Sequence, residues 1–108
     1  MKEITRLFEI DIPAQERIDA LYLDDETLSF RSKNSGDIVM NTYNSYYCEA
    51  VYSLNKENTL KFLDSLQASW DSIGDIVEKK FRSPAGLDQL KRHCDRNNIQ
   101  YHYEFIID

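Results

Sequence analysis

The sequence predicts an α+β fold, an antiparallel sheet with helices packed on one face, and three observations carry that reading. Several short runs between residues 8 and 54 alternate apolar with polar or charged side chains, the period of a half-buried strand. Residues 55–96 switch to helical spacing. Residues 99–107 then return to a strict period of two. Strands, then helices, then one returning strand is the element order of an α+β domain. The expected architecture is an N-terminal meander plus a C-terminal strand, with two to three helices on one face.

The elements follow along the chain. Phe8, Ile10 and Ile12 alternate with Glu9 and Asp11, and Pro13 ends that strand. Residues 14–23 fit helix or strand: Ile18, Leu21 and Tyr22 have helical spacing, whereas Leu21 and Leu23 alternate. Asp24-Asp25-Glu26 is a polar break, and residues 27–32 alternate again around Leu28 and Phe30. Asn34-Ser35-Gly36-Asp37 reads as a turn, because Gly and Asn tolerate positive φ. Residues 38–43 and 46–54 are β-branched and aromatic, so both read as strands, separated by Asn44-Ser45.

Asn55 is placed to cap a helix carrying Leu60, Phe62, Leu63 and Leu66 on its apolar stripe. Trp70, Ile73, Val77 and Phe81 continue at helical spacing, although Gly74 costs about 1 kcal/mol relative to Ala in a helix interior. Ser83-Pro84 marks a third helix start, with Leu87, Leu90 and Cys94 facing inward and Asn97-Asn98 as its stop. In the last strand Ile99, Tyr101, Tyr103, Phe105 and Ile107 share one face, and Gln100, His102 and Glu104 the other. A strand with so long an apolar face is expected to pair inside the sheet, beside the first strand, with helices over it.

The chain has 108 residues, the size of a single domain spanning 1–108. A domain of that size needs no metal or disulfide staple to fold. Nineteen Asp and Glu oppose thirteen Lys and Arg, a net charge of −6 that opposes nucleic acid and anionic membranes and favours a basic partner. Residues 1–30 hold eight acids and three cations, so nearly all of the excess is N-terminal. Residues 1–12 carry four charged groups beyond Lys2, unlike the apolar centre of an export signal, and no run of about 20 apolar residues exists. The expected location is the cytoplasm, with Cys48 and Cys94 as reduced, buried thiols.

Chemistry-bearing residues are sparse. His93 and Cys94 are adjacent in a helix and point about 100° apart, so they form no pair. His102 and Glu104 share a strand face, which is the one general-base arrangement the sequence offers; the plainer reading is a solvated polar face opposite the Tyr101–Phe105 stripe. The two His and two Cys lack zinc-site spacing, and three scattered glycines cannot cradle a nucleotide. No catalytic, metal or cofactor residue is therefore assigned, and an enzyme is not expected.

A compact acidic α+β chain of this length resembles the immunity proteins of bacterial contact-dependent inhibition and polymorphic-toxin systems in size, charge and element order. The resemblance implies a chain that binds a cognate toxin domain, such as a basic nuclease, and blocks it. Asp19, Asp24, Asp25 and Glu26 are the candidate partner-binding acids. Tyr43, Tyr46 and Tyr47 are candidate anchors, since Tyr combines contact area with a polar tip. Residues 38–54 hold Glu49 and no Lys or Arg, which argues against base stacking on these tyrosines. The alternative is a regulatory or adaptor domain that binds another protein or itself, as monomer or homodimer.

Overall fold

Alternating runs need a partner on each edge, and five strands supply one another in chain order. A computed structural model describes residues 1–108. The elements are β1 (Lys2–Ile12), β2 (Gln15–Asp24), β3 (Thr27–Ser35), α1 (Asp37–Tyr43), β4 (Tyr47–Ser53), α2 (Lys56–Ser65), α3 (Ile73–Phe81), α4 (Gly86–Arg96) and β5 (His102–Ile107). The sheet order is β1-β2-β3-β4-β5 and every neighbouring pair is antiparallel. The α+β class is therefore as expected, and residues 15–24 resolve to strand.

One face carries the core. Leu21, Phe30, Tyr52 and Tyr103 stand in one row across β2 to β5, with Phe30 stacked on Tyr52 at 5.2 Å. Phe62, Leu63 and Leu66 of the α2 region, Ile73, Val77 and Phe81 of α3, and Leu90 and Cys94 of α4 close over the β2–β4 part of that row with Leu7, Leu28 and Leu54, leaving Tyr103 exposed. Two bulges in β1, at Glu3/Thr5 and Arg6/Phe8, change its side-chain phase. Glu3, Arg6 and Glu9, three residues apart, consequently oppose Tyr22, Ala20 and Ile18, alternate residues of β2 on the other face. Arg6 bridges Glu3 at 3.0 Å and Glu9 at 2.8 Å there.

Two helices depend on glycine for close approach. A Cβ at Gly74 would lie 2.9 Å from Ile4 Cγ2, so the residue that weakens α3 as an isolated helix is what seats it on β1. A Cβ at Gly86 would lie 1.9 Å from the Phe81 carbonyl oxygen.

Four sequence expectations are corrected. Residues 38–43 form α1, not a strand. Gly36 enters it at φ 111°, and its N–H donates to Tyr46 O at 3.0 Å while Ile38 N–H donates to Ala14 O at 3.1 Å. Those anchors, with Val39 buried and Asn44 at φ 57° as a left-handed stop, override the β propensity of Ile38 and Val39. Residues 83–85 form a turn and α4 begins at Gly86, with Ser83 making no cap bond. Leu60 leaves the apolar stripe of α2: Thr59, Phe62, Leu63 and Leu66 make the inward face, and Leu60 is turned about 100° from Thr59. Thr59 belongs inside because its hydroxyl accepts the Leu28 N–H at 3.1 Å. Finally, β5 begins at His102 and lies at the sheet edge beside β4, not beside β1; of the apolar stripe the sequence shows, only Ile99 and Tyr101, in the segment before β5, belong with the core.

Candidate functional site

The acidic hairpin loop between β2 and β3 is short because Asp24 pairs with Thr27. Asp25 takes φ 55° and the Thr27 hydroxyl donates to Asp24 O at 2.8 Å. Asp24, Asp25 and Glu26 are all exposed. Beside them stands Trp70, in the link between α2 and α3. Ser69 N–H donates to Ser72 Oγ at 2.9 Å and Ser72 N–H to Ser69 Oγ at 3.2 Å, a reciprocal pair that fixes the turn and turns Trp70 outward.

Trp70 divides two clefts. One, of about 460 Å³, is lined by Lys2, Glu3, Ile4, Leu23, Asp25 and Glu26. The other, of about 520 Å³, is lined by Glu57, Leu60, Lys61, Leu63, Asp64, Ala68 and Ser69. Trp70 is 43% exposed and Leu60 60%. With Asp24, six carboxylates (Glu3, Asp24, Asp25, Glu26, Glu57, Asp64) surround this apolar ridge. The cations near them are four: Lys2, Arg6, Lys56 and Lys61. Glu3 is tied to Arg6, Glu26 faces Lys56 at 3.6 Å and Glu57 faces Lys61 at 4.0 Å. Asp24, Asp25 and Asp64 have no ion-pair partner.

The expected partner-binding residues do not converge. Asp19 is fully buried, and its carboxylate accepts from Arg17 at 3.1 and 2.6 Å, so it presents no charge to a partner. Tyr43 and Tyr46 are exposed and Tyr47 is half-buried. They lie at the C-terminal end of α1 and the start of β4, at the opposite end of β3 from Asp24–Glu26, roughly 26 Å away at 3.3 Å per strand residue. Tyr43 packs on Phe105, ring centres 5.3 Å apart. The Tyr47 hydroxyl is pushed up by burial and by Glu49. The N-terminal acids also divide. Asp11 and Glu16 pair at the β1–β2 hairpin, whereas Asp24–Glu26 sit at the far end of β2. Of the expected residues, Asp24, Asp25 and Glu26 share the Trp70 end. Trp70 and Leu60 themselves were hidden by helical spacing, which made both look like core.

His102 and Glu104 are exposed on β5, and neither lines a cleft described above. No group of three or more His, Cys, Asp or Glu side chains is arranged to hold a metal ion. Cys48 and Cys94 are free and buried. No helix is long and apolar enough to cross a membrane.

Comparison with known proteins gives no match: no family model, no curated protein and no solved structure is significantly similar to this chain.

Proposed function

We propose that this chain is a protein-binding inhibitor of the immunity type, which docks a basic segment of a cognate toxin domain at the Trp70 end of the fold. The observation that carries the reading is the Trp70–Leu60 ridge, an exposed apolar centre between two clefts with unpaired carboxylates around it. An apolar centre with a charged rim is the anatomy of a protein interface, and Trp is the residue type most enriched at binding hot spots. The carboxylates at Asp24, Asp25 and Asp64 would steer a basic surface inward, and the tryptophan would hold it.

The test is whether a toxin domain is encoded beside this chain and binds it, measured by calorimetry and stopped-flow at two salt concentrations; absence of such a neighbour would itself count against the reading. Trp70→Ala is expected to weaken the complex about 30-fold, mainly through faster dissociation. Asp24→Lys with Asp25→Lys is expected to slow association and flatten its salt dependence. Wild-type affinity in both variants would sink the reading.

A further inference from the structure

The two edges of the sheet are treated differently by the sequence. On β1 the free edge is broken by two bulges, carries Lys2 and Arg6, and ends at Pro13. Those are the devices that keep an edge strand from pairing. The free edge of β5 has none of them. Its register with β4 is regular, it contains no Lys, Arg, Pro or Gly, and the helical layer packs on β1–β4. Tyr103, Phe105 and Ile107, all on the core side of the sheet, are 51%, 39% and 49% exposed.

The backbone shows which groups are unpaired. Asp108 N–H donates to Tyr47 O at 3.3 Å, so Asp108 and Tyr47 form a hydrogen-bonded pair. Hydrogen-bonded and open pairs alternate along an antiparallel ladder, so the N–H and C=O groups of Tyr103, Phe105 and Ile107 point away from β4 to the free edge.

We infer that β5 pairs antiparallel with β5 of a second copy of this chain, about a twofold axis at Phe105, to make one continuous sheet across a homodimer. Self-complementarity of the strand selects the second copy and the register: one twofold setting pairs the apolar residues while opposing no two carboxylates, and it sets the His102 imidazole against an acid. A twofold axis perpendicular to the sheet keeps each side chain opposite one on the same face. Centred on Glu104, two carboxylates would oppose each other directly. Centred on Ile106, Glu104 would face Asp108 of the second copy. Centred on Tyr103 or Ile107, most of the strand would stay unpaired. Centred on Phe105, the outward amides of Phe105 meet Phe105 of the second copy, and Tyr103 meets Ile107 of the second copy. His102 then lies opposite Asp108 of the second copy, in a close, non-hydrogen-bonded position. The two apolar rows join into one band, with each Tyr43 packed on its own Phe105 beside the axis. This surface shares no residue with the Trp70 end, so the dimer and the docking reading stand or fall separately.

Sedimentation equilibrium should give twice the chain mass. Phe105→Pro removes an outward N–H that β4 does not use, and should halve that mass with an unchanged far-ultraviolet circular dichroism spectrum. Should Phe105→Pro not fold, Phe105→Lys sets Lys against Lys at the axis and should give the same halving. The register is read by mild oxidation: Phe105→Cys should cross-link, because Cα atoms of such a pair lie about 5.5 Å apart, within disulfide reach. Glu104→Cys should not. A wild-type chain that sediments as a monomer at submillimolar concentration, or cross-linking through Glu104→Cys in preference to Phe105→Cys, overturns the inference.

Discussion

Ser65 Oγ and His93 Nε2 are 2.8 Å apart, and the surrounding hydrogen bonds assign the proton between them to the histidine. The Asn97 amide nitrogen lies 3.4 Å from His93 Nδ1 and must donate, so Nδ1 accepts and the ring proton sits on Nε2. Ser65 in turn donates to Phe62 O at 2.7 Å. The chain of bonds runs from imidazole to hydroxyl to carbonyl, opposite to the direction in which a base activates a nucleophile. The histidine instead ties α4 to α2, with its ring edge-on to Phe62 and Phe81.

That geometry makes stability pH-dependent. Burial, then Lys80 and Arg96, holds His93 below the ordinary histidine value of about 6.5. Between the folded and unfolded pKa values the unfolded chain binds the extra proton, so stability rises with pH there. The contribution is complete above about pH 6.5 and is lost as pH falls below it. The thermal midpoint should therefore drop between about pH 7 and 5.5. His93→Gln, which can still donate to Ser65, should flatten the drop; an identical slope in that variant would refute the assignment.

Gly86→Ala is expected to be the costliest small substitution in the chain. Its Cβ would overlap the Phe81 carbonyl at 1.9 Å and press on Leu7 Cβ at 3.4 Å. Backbone cannot yield as a side chain can, so a loss of about 3 kcal/mol or more is expected in urea unfolding. Gly74→Ala meets the Ile4 methyl at 2.9 Å and the Ile4 carbonyl oxygen at 3.8 Å, an ordinary contact. Its strain is offset by the helix propensity of Ala, about 1 kcal/mol, so the net change should be small. Equal losses in the two variants would contradict this account.

The same two glycines show where sequence reasoning ends. The alternation at Phe30 and Tyr52 and the capping at Asn55, whose side chain accepts Asn58 N–H at 2.8 Å, are local signals, and they carry through to the fold. Gly74 reads as a helix breaker because its use lies in β1, about seventy residues away in the chain. Residues 38–43 have strand composition, yet form α1 because Ala14 and Tyr46 supply the partners of Ile38 and Gly36. The site is legible in the same proportion. The acids of residues 24–26 are visible as a charge run. That Asp19 points inward and Leu60 outward depends on how β2 and α2 sit against the rest of the fold, which no local pattern encodes; Trp70 is turned outward by the local Ser69–Ser72 pair, a signal masked by its helical spacing from Ile73 and Val77.

Both thiols should be inert in the native state. Burial, then Asp95, pushes Cys94 up to about 12, and burial raises Cys48. At pH 8 Cys94 would hold about a thousandfold less thiolate than a free thiol. Labelling by a thiol-specific disulfide reagent should be slow for both and become complete in urea. Fast labelling of Cys94 in native protein would show that α4 opens readily.

Asp19 and Arg17 separate a structural charge from a docking charge. Asp19 is fully buried, whereas the Arg17 side chain is 29% exposed and lies 5.0 Å over the Phe8 ring. Removing the arginine leaves a buried carboxylate without its counter-charge, for which a cost of about 3 kcal/mol is expected. Removing the charge on Asp19 leaves a guanidinium that can turn to water, so Asp19→Asn should cost less than Arg17→Met. The order would be reversed if Asp19 were reached by solvent and Arg17 served chiefly as packing over Phe8. Chemical denaturation of the two variants and of the double variant measures both the order and the coupling. Because the pair is internal, neither change should alter the salt dependence of partner association, whereas reversing Asp24 and Asp25 should alter that dependence with little effect on stability.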